Sequence, residues 1–197
     1  MNKGLTIGVI VAIIIAIGAG VYATQRGDTG TQNQNGNGNT AAGTLEYRSN
    51  ELGLAFKYPD TYQVQLQHTE TGHVVVLMDK TAAANIPQNG EGPPAITVSE
   101  FSNAQGTSLE NWIRNTPQSN FQISTDKVLT PGSVGDRNAL AYQHSGLYES
   151  DAVAVDADNR IFLFAAGWMS ADDQIRKDFE NLLSTVSFFT PTEDDQH

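Results

Sequence analysis

Residues Arg160 to Trp168 carry apolar side chains at both parities, Ile161 and Leu163 alternating with Phe162, Phe164 and Trp168. A strand with one apolar face needs one covering layer. A strand apolar on both faces must be covered on both sides, so it belongs at the centre of a layered domain. The rest of the chain supplies candidate neighbours. Gly53 to Tyr58 puts Leu54, Phe56 and Tyr58 on one face, and Pro59-Asp60 makes a turn. Tyr62, Val64 and Leu66 then alternate with Gln63, Gln65 and Gln67, the period-two signature of a half-buried strand. Thr69 to Gly72 is turn chemistry, and His73 to Met78 returns as the partner strand. Further strands are predicted at 95–101, 121–127, 137–148 and 151–156, with a short final one at 186–189.

Two helices announce themselves by their first turns. Thr107-Ser108-Leu109-Glu110 fits a capping box, followed by an apolar face of Leu109, Trp112 and Ile113 and by Pro117 as a stop. Ser170 to Asp173 is read as the start of the second, with Ser170 as cap and Asp172 and Asp173 suited to the positive end of the dipole. Its buried stripe is Ile175, Phe179, Leu182 and Leu183. Strands, a helix, more strands and a last helix predict an α+β domain, a central antiparallel sheet with helices packed on it.

The first 44 residues read differently. Leu5 to Ala23 holds no charge, and 19 residues at helical rise span about 28 Å, close to a hydrocarbon core of about 30 Å. Lys3 precedes the run, while Arg26 and Asp28 after it cancel, so the positive-inside bias puts residues 1–4 in the cytoplasm and the domain outside. The run is longer than the roughly 7–15 apolar residues of a signal peptide, which favours an uncleaved signal-anchor over 5–23. Cleavage after Ala23, at Val21-Tyr22-Ala23, is the competing reading. Residues 24–44 are Gly, Asn, Gln and Thr with almost nothing apolar, a composition expected to remain a disordered linker. The globular domain is expected over 45–190 and a disordered acidic tail over 191–197. The expected localisation is the cell membrane, single-pass, with the domain on the extracytoplasmic side.

From residue 45 onward there are 9 Lys and Arg against 21 Asp and Glu. Such a surface repels phosphate backbones and anionic headgroups, which argues against a nucleic-acid partner and against polybasic membrane docking. The absence of cysteine excludes disulfides, thiolate metal sites and Cys nucleophiles.

A tyrosine, a short polar gap and then Gly53 to Val64 resembles the opening of PsbP-like domains, in which a Gly-aromatic-Tyr-Pro segment leads into a strand. The helix beginning Ser108-Leu109-Glu110-Asn111-Trp112 resembles that family's middle helix, and Phe179 to Phe188 its closing helix and strand. The resemblance covers about residues 45–189 and extends to membrane-anchored bacterial envelope proteins of the PsbP/DcrB type. It implies an α/β/α sandwich around an antiparallel sheet and accessory binding to another protein. It implies no cofactor and no shared active site.

Candidate sites are few. His68 and His73 should face each other across the turn at Thr69 to Gly72, on the face of Val64, Leu66, Val75 and Leu77, with Glu70 between them. Two imidazoles and a carboxylate could hold zinc, copper or nickel; the plain alternative is a cross-strand pair closing one end of the core. Asp156-Ala157-Asp158-Asn159-Arg160 has the alternate acids of a calcium loop but has Ile161 and Gly167 where that loop needs Gly and Glu, so it reads as a hairpin. His144 shares a strand with Leu140 and Tyr142 and reads as packed. Gly-x-Ser-x-Gly, Walker, Rossmann and His-Glu-x-x-His motifs are all missing. The stretch Asp79 to Pro94 is longer than most loops in compact domains, and such loops tend to be functional or disordered. The expectation is therefore a non-catalytic binding or accessory module for an envelope protein. The alternatives are a small-ligand or metal-binding domain and an enzyme of unrecognised type.

Overall fold

A computed structural model describes residues 43–69, 71–86 and 91–190. The predicted membrane segment 5–23, nearly all of the predicted linker, the predicted tail 191–197 and Glu70 lie outside the described residues. Among the described residues no helix is long and apolar enough to cross a membrane.

The described residues form ten strands and three α-helices in order: β1 (Thr44–Ser49), β2 (Leu54–Pro59), β3 (Tyr62–Thr69), β4 (Gly72–Asp79), α1 (Lys80–Ala84), β5 (Ile96–Ser102), α2 (Leu109–Asn115), β6 (Thr130–Val134), β7 (Arg137–Ser145), β8 (Glu149–Ala157), β9 (Arg160–Trp168), α3 (Gln174–Thr185) and β10 (Ser187–Phe188). Seven of the strands form one sheet in the order β3-β4-β5-β9-β8-β7-β6, with every neighbouring pair antiparallel. The doubly apolar strand β9 is its middle member, as its two-faced pattern requires.

Each face has its own cover. On one side Val75, Leu77, Ile96, Val98, Phe162 and Phe164 pack under α3 (Phe179, Leu182) and under β2 (Leu54, Phe56). On the other, Ala152, Ala154, Ile161 and Leu163 meet Trp112 and Ile113 of α2, while Val74, Val76 and Met78 meet Ala83 of α1. β1, β2 and β10 form a separate three-stranded sheet, so the architecture is a large sheet covered by helices on one face and by a helix plus a small sheet on the other. The expected central antiparallel sheet with helices packed on it is present. Gly53 to Tyr58 lies outside it, in the small sheet, where its apolar face caps the core.

Five expectations are revised. Thr44, placed in the linker, is the first residue of β1, paired with Pro59. The strand predicted at 121–127 is a 3-10 turn, Phe121–Ile123, wound from left-handed Asn120 at φ 57°, and the strand follows at β6. The helix cap falls one residue later than predicted: Ser108, not Thr107, accepts from the Asn111 N–H, and Glu110 pairs with Arg114 at 2.8 Å instead of closing a capping box. The cap residue of α3 is Asp173 rather than Ser170, and its carboxylate turns back to accept from the Met169 and Ser170 N–H groups at 2.8 and 2.9 Å. Those two bonds hold the Asp173 carboxyl below the usual carboxylate range. The long segment after β4 opens with a helix of its own, α1, capped by Asp79, whose Oδ1 accepts from Thr81 and Ala82.

Candidate functional site

The antiparallel register of β3 and β4 sets His68 directly opposite His73. The rings meet edge to face with centroids 5.0 Å apart. Val75 and Leu77, at the same parity as His73, lie in the main core, so the pair sits where that core face runs out toward solvent. Pairing continues past the histidines to Thr69 and Gly72, which makes the connection tighter than the four-residue loop expected.

Two carboxylates converge on His73 from separate elements. β5 pairs with β4 so that Glu100 lies opposite His73, and Glu100 Oε2 is 2.9 Å from Nδ1. Glu51 belongs to the turn between β1 and β2, and its Oε1 is 3.0 Å from Nε2. That turn is fixed in place: the Leu52 N–H donates to Ser49 Oγ at 3.2 Å, Gly53 closes it at φ +60°, and Arg160 Nη1 of β9 donates to the Leu52 carbonyl at 2.9 Å. Leu52 itself is buried against the core. Gly72 begins β4 at φ +144°, and a Cβ there would stand 2.1 Å from the Glu100 carbonyl oxygen. Only glycine lets the two strands approach closely enough to bring His73 and Glu100 together.

Donor atoms of Glu51, His68 and His73 all lie within 4.8 Å of one another. Sequence reasoning found the two histidines and missed both acids. The expected third group, Glu70, is outside the described residues.

Against known structures, the chain matches the solution structure of a cyanobacterial PsbP from Synechocystis sp. with a TM-score of 0.52 and 14% identity, covering 77% of this chain and 96% of that one. The fold is PsbP-like. A Bacteroides thetaiotaomicron protein of known structure aligns at a TM-score of 0.49 and 10% identity, over 77% of this chain; the chain spans half the length of that protein. No protein-family model matches the sequence, and no curated protein does.

The PsbP-like domain gives its other candidate residues structural partners. Asp158 and Asn159 take left-handed φ of 53° and 61° in a two-residue hairpin between β8 and β9, where Ala157 pairs with Arg160, the geometry of a type I′ turn. Asp158 also takes an ion pair from Arg137 at 3.2 Å, so the calcium-like spacing serves the turn. His144 is buried on β7 beside Tyr142, with ring centroids 6.3 Å apart. Burial pushes its imidazole pKa down, against an upward pull from Glu149.

Proposed function

We propose that this chain is a non-catalytic accessory module, held at the outer face of a cell membrane by Leu5–Ala23, whose PsbP-like domain binds an envelope protein. The observation that carries the reading is how three inward-facing hydroxyls are used. The Ser119 hydroxyl shares its one proton between the carbonyls of Ile113 and Thr116. The Tyr142 hydroxyl donates to the Ser119 carbonyl, and that of Tyr62 to Asp178. Groups bonded into the scaffold are not poised to exchange protons with a substrate. Two hollows in the surface have volumes of about 320 and 360 Å³. The first is lined mainly by small and apolar residues such as Ala139, Ala141, Val153 and Leu183. In the second, Asp151 is engaged by Gln143 and by both Nε and Nη2 of Arg176. The PsbP-like fold supports an accessory role by analogy of fold, and the acidic surface favours a partner face rich in Lys and Arg.

The test uses the absence of native cysteine. Ala104→Cys, at an exposed loop position, gives the full chain one thiol. In intact cells a membrane-impermeant maleimide should label it, and protection until lysis would refute the outward orientation. A thiol crosslinker at the same position, and at a second exposed position on another face, should capture one recurrent basic envelope protein. Capture of none, or of an unrelated set at each position, would refute the accessory role.

A further inference from the structure

The donor arrangement around His73 demands a cation. A neutral imidazole has one N–H and one lone pair, yet both ring nitrogens face carboxylate oxygens, Glu100 at Nδ1 and Glu51 at Nε2, at 2.9 and 3.0 Å. In a neutral ring one of those contacts sets lone pair against lone pair. A positive charge at the Nε2 side removes the conflict, and it is either a proton or a metal ion. Geometry favours the metal ion: a second imidazole, His68, stands in edge contact, with its donor within 4.8 Å of the other two.

We propose that Glu51, His68 and His73 form a binding site for a borderline divalent transition metal, zinc or copper(II) in particular, and that Glu100 is its outer carboxylate. His73 binds through Nε2, which leaves Nδ1–H to donate to Glu100. A ligating histidine ordinarily carries such a partner, which fixes its tautomer and raises its basicity. Two imidazole nitrogens and one carboxylate oxygen suit zinc, copper or nickel and disfavour calcium and magnesium, which take oxygen sets. Bonds of about 2.0–2.1 Å in a tetrahedron bring donors to about 3.3 Å from one another, so the observed 4.8 Å spread has to contract. His68 and Glu51 are exposed, free to turn inward, while His73 is held between β3 and β5. Three protein ligands leave one position open to water or to a group from a partner. The site joins two layers, the β1–β2 turn on the small sheet and the β3–β4 hairpin on the large one. It stands on its own geometry and does not depend on the accessory role proposed above.

The experiment is a calorimetric titration of the untagged full chain in mild detergent with zinc, copper(II) and calcium chlorides. Zinc or copper should bind saturably at one equivalent, and calcium should not. His68→Ala, at an exposed position that the fold does not need, should weaken binding at least tenfold, and so should Glu51→Gln. Glu100→Gln, which touches no metal, should weaken it about 10–100-fold, whereas His144→Gln should leave it unchanged. The copper-loaded protein should show hyperfine coupling to two nitrogens, falling to one in His68→Ala. No saturable binding, or binding indifferent to His68→Ala, would overturn the site.

Discussion

Tyr62→Phe isolates the contact that ties the edge of the large sheet to the last helix. Tyr62 opens β3, and its hydroxyl donates to Asp178 Oδ2 of α3 at 2.9 Å. Both residues are buried, Tyr62 at 6% and Asp178 at 8% exposure. The other carboxylate oxygen takes only the amide of Gln174, at 3.0 Å, and none of the ion pairs among the described residues involves Asp178. The buried charge is therefore kept by two neutral donors, and burial together with the Asp178 bond raises the Tyr62 pKa well above its ordinary value. Removing a hydrogen bond to a charged group costs about 1.5–3 kcal/mol, because the acceptor stays behind under-solvated. At about 2–4 °C per kcal/mol for a chain of this size, the melting temperature should fall by about 3–12 °C, followed by near-ultraviolet circular dichroism of the full chain. The charge makes a sharper test than the drop itself. In an Asp178→Asn background the acceptor is neutral, the lost bond is worth about 1 kcal/mol, and the same Tyr62→Phe change should cost visibly less. A fall below about 1 °C, or an equal cost in both backgrounds, would refute the reasoning.

Gly72→Ala should destabilise the domain by about 2–3 kcal/mol, since its Cβ would stand 2.1 Å from the Glu100 carbonyl oxygen; an unchanged melting temperature would show that β4 and β5 can part freely. His144 gives the pH dependence. Its pKa is lowered by burial, so the unfolded chain takes up the proton first. Stability from this residue is complete above the ordinary histidine value of about 6.5 and is lost as pH falls through it toward the depressed folded value. Melting curves between pH 7.5 and 5 should show that slope, and His144→Gln should flatten it.

The strands were readable where burial is one-sided or two-sided without interruption. The alternation from Tyr62 to Leu66 and the two apolar faces of β9 leave one geometry each. β6 was not readable, because it contains Pro131 and Gly132 and a single buried residue, Val134. An edge strand tolerates what a central one cannot. The segment before it misled in the other direction, since Phe121 and Ile123 are spaced like a strand. Their backbone is set by the left-handed Asn120 and the Ser119 hydroxyl, which tertiary contacts recruit. At the site, His68 and His73 were legible because hairpin parity is local. Glu100 depends on the register between β4 and β5, across a connection whose length fixes nothing. Glu51 depends on two sheets packing together, which no short-range pattern encodes.

The small sheet also sets an order of events. β2 lies between β1 and β10, pairing with β10 through Ala55 and Leu54, and the Phe189 N–H donates to the Gly53 carbonyl. One side of a strand made early in synthesis thus stays open until more than a hundred further residues exist. A nascent chain cannot close this core, and contacts so far apart in sequence form slowly. The last two-residue strand is what closes that flank of β2.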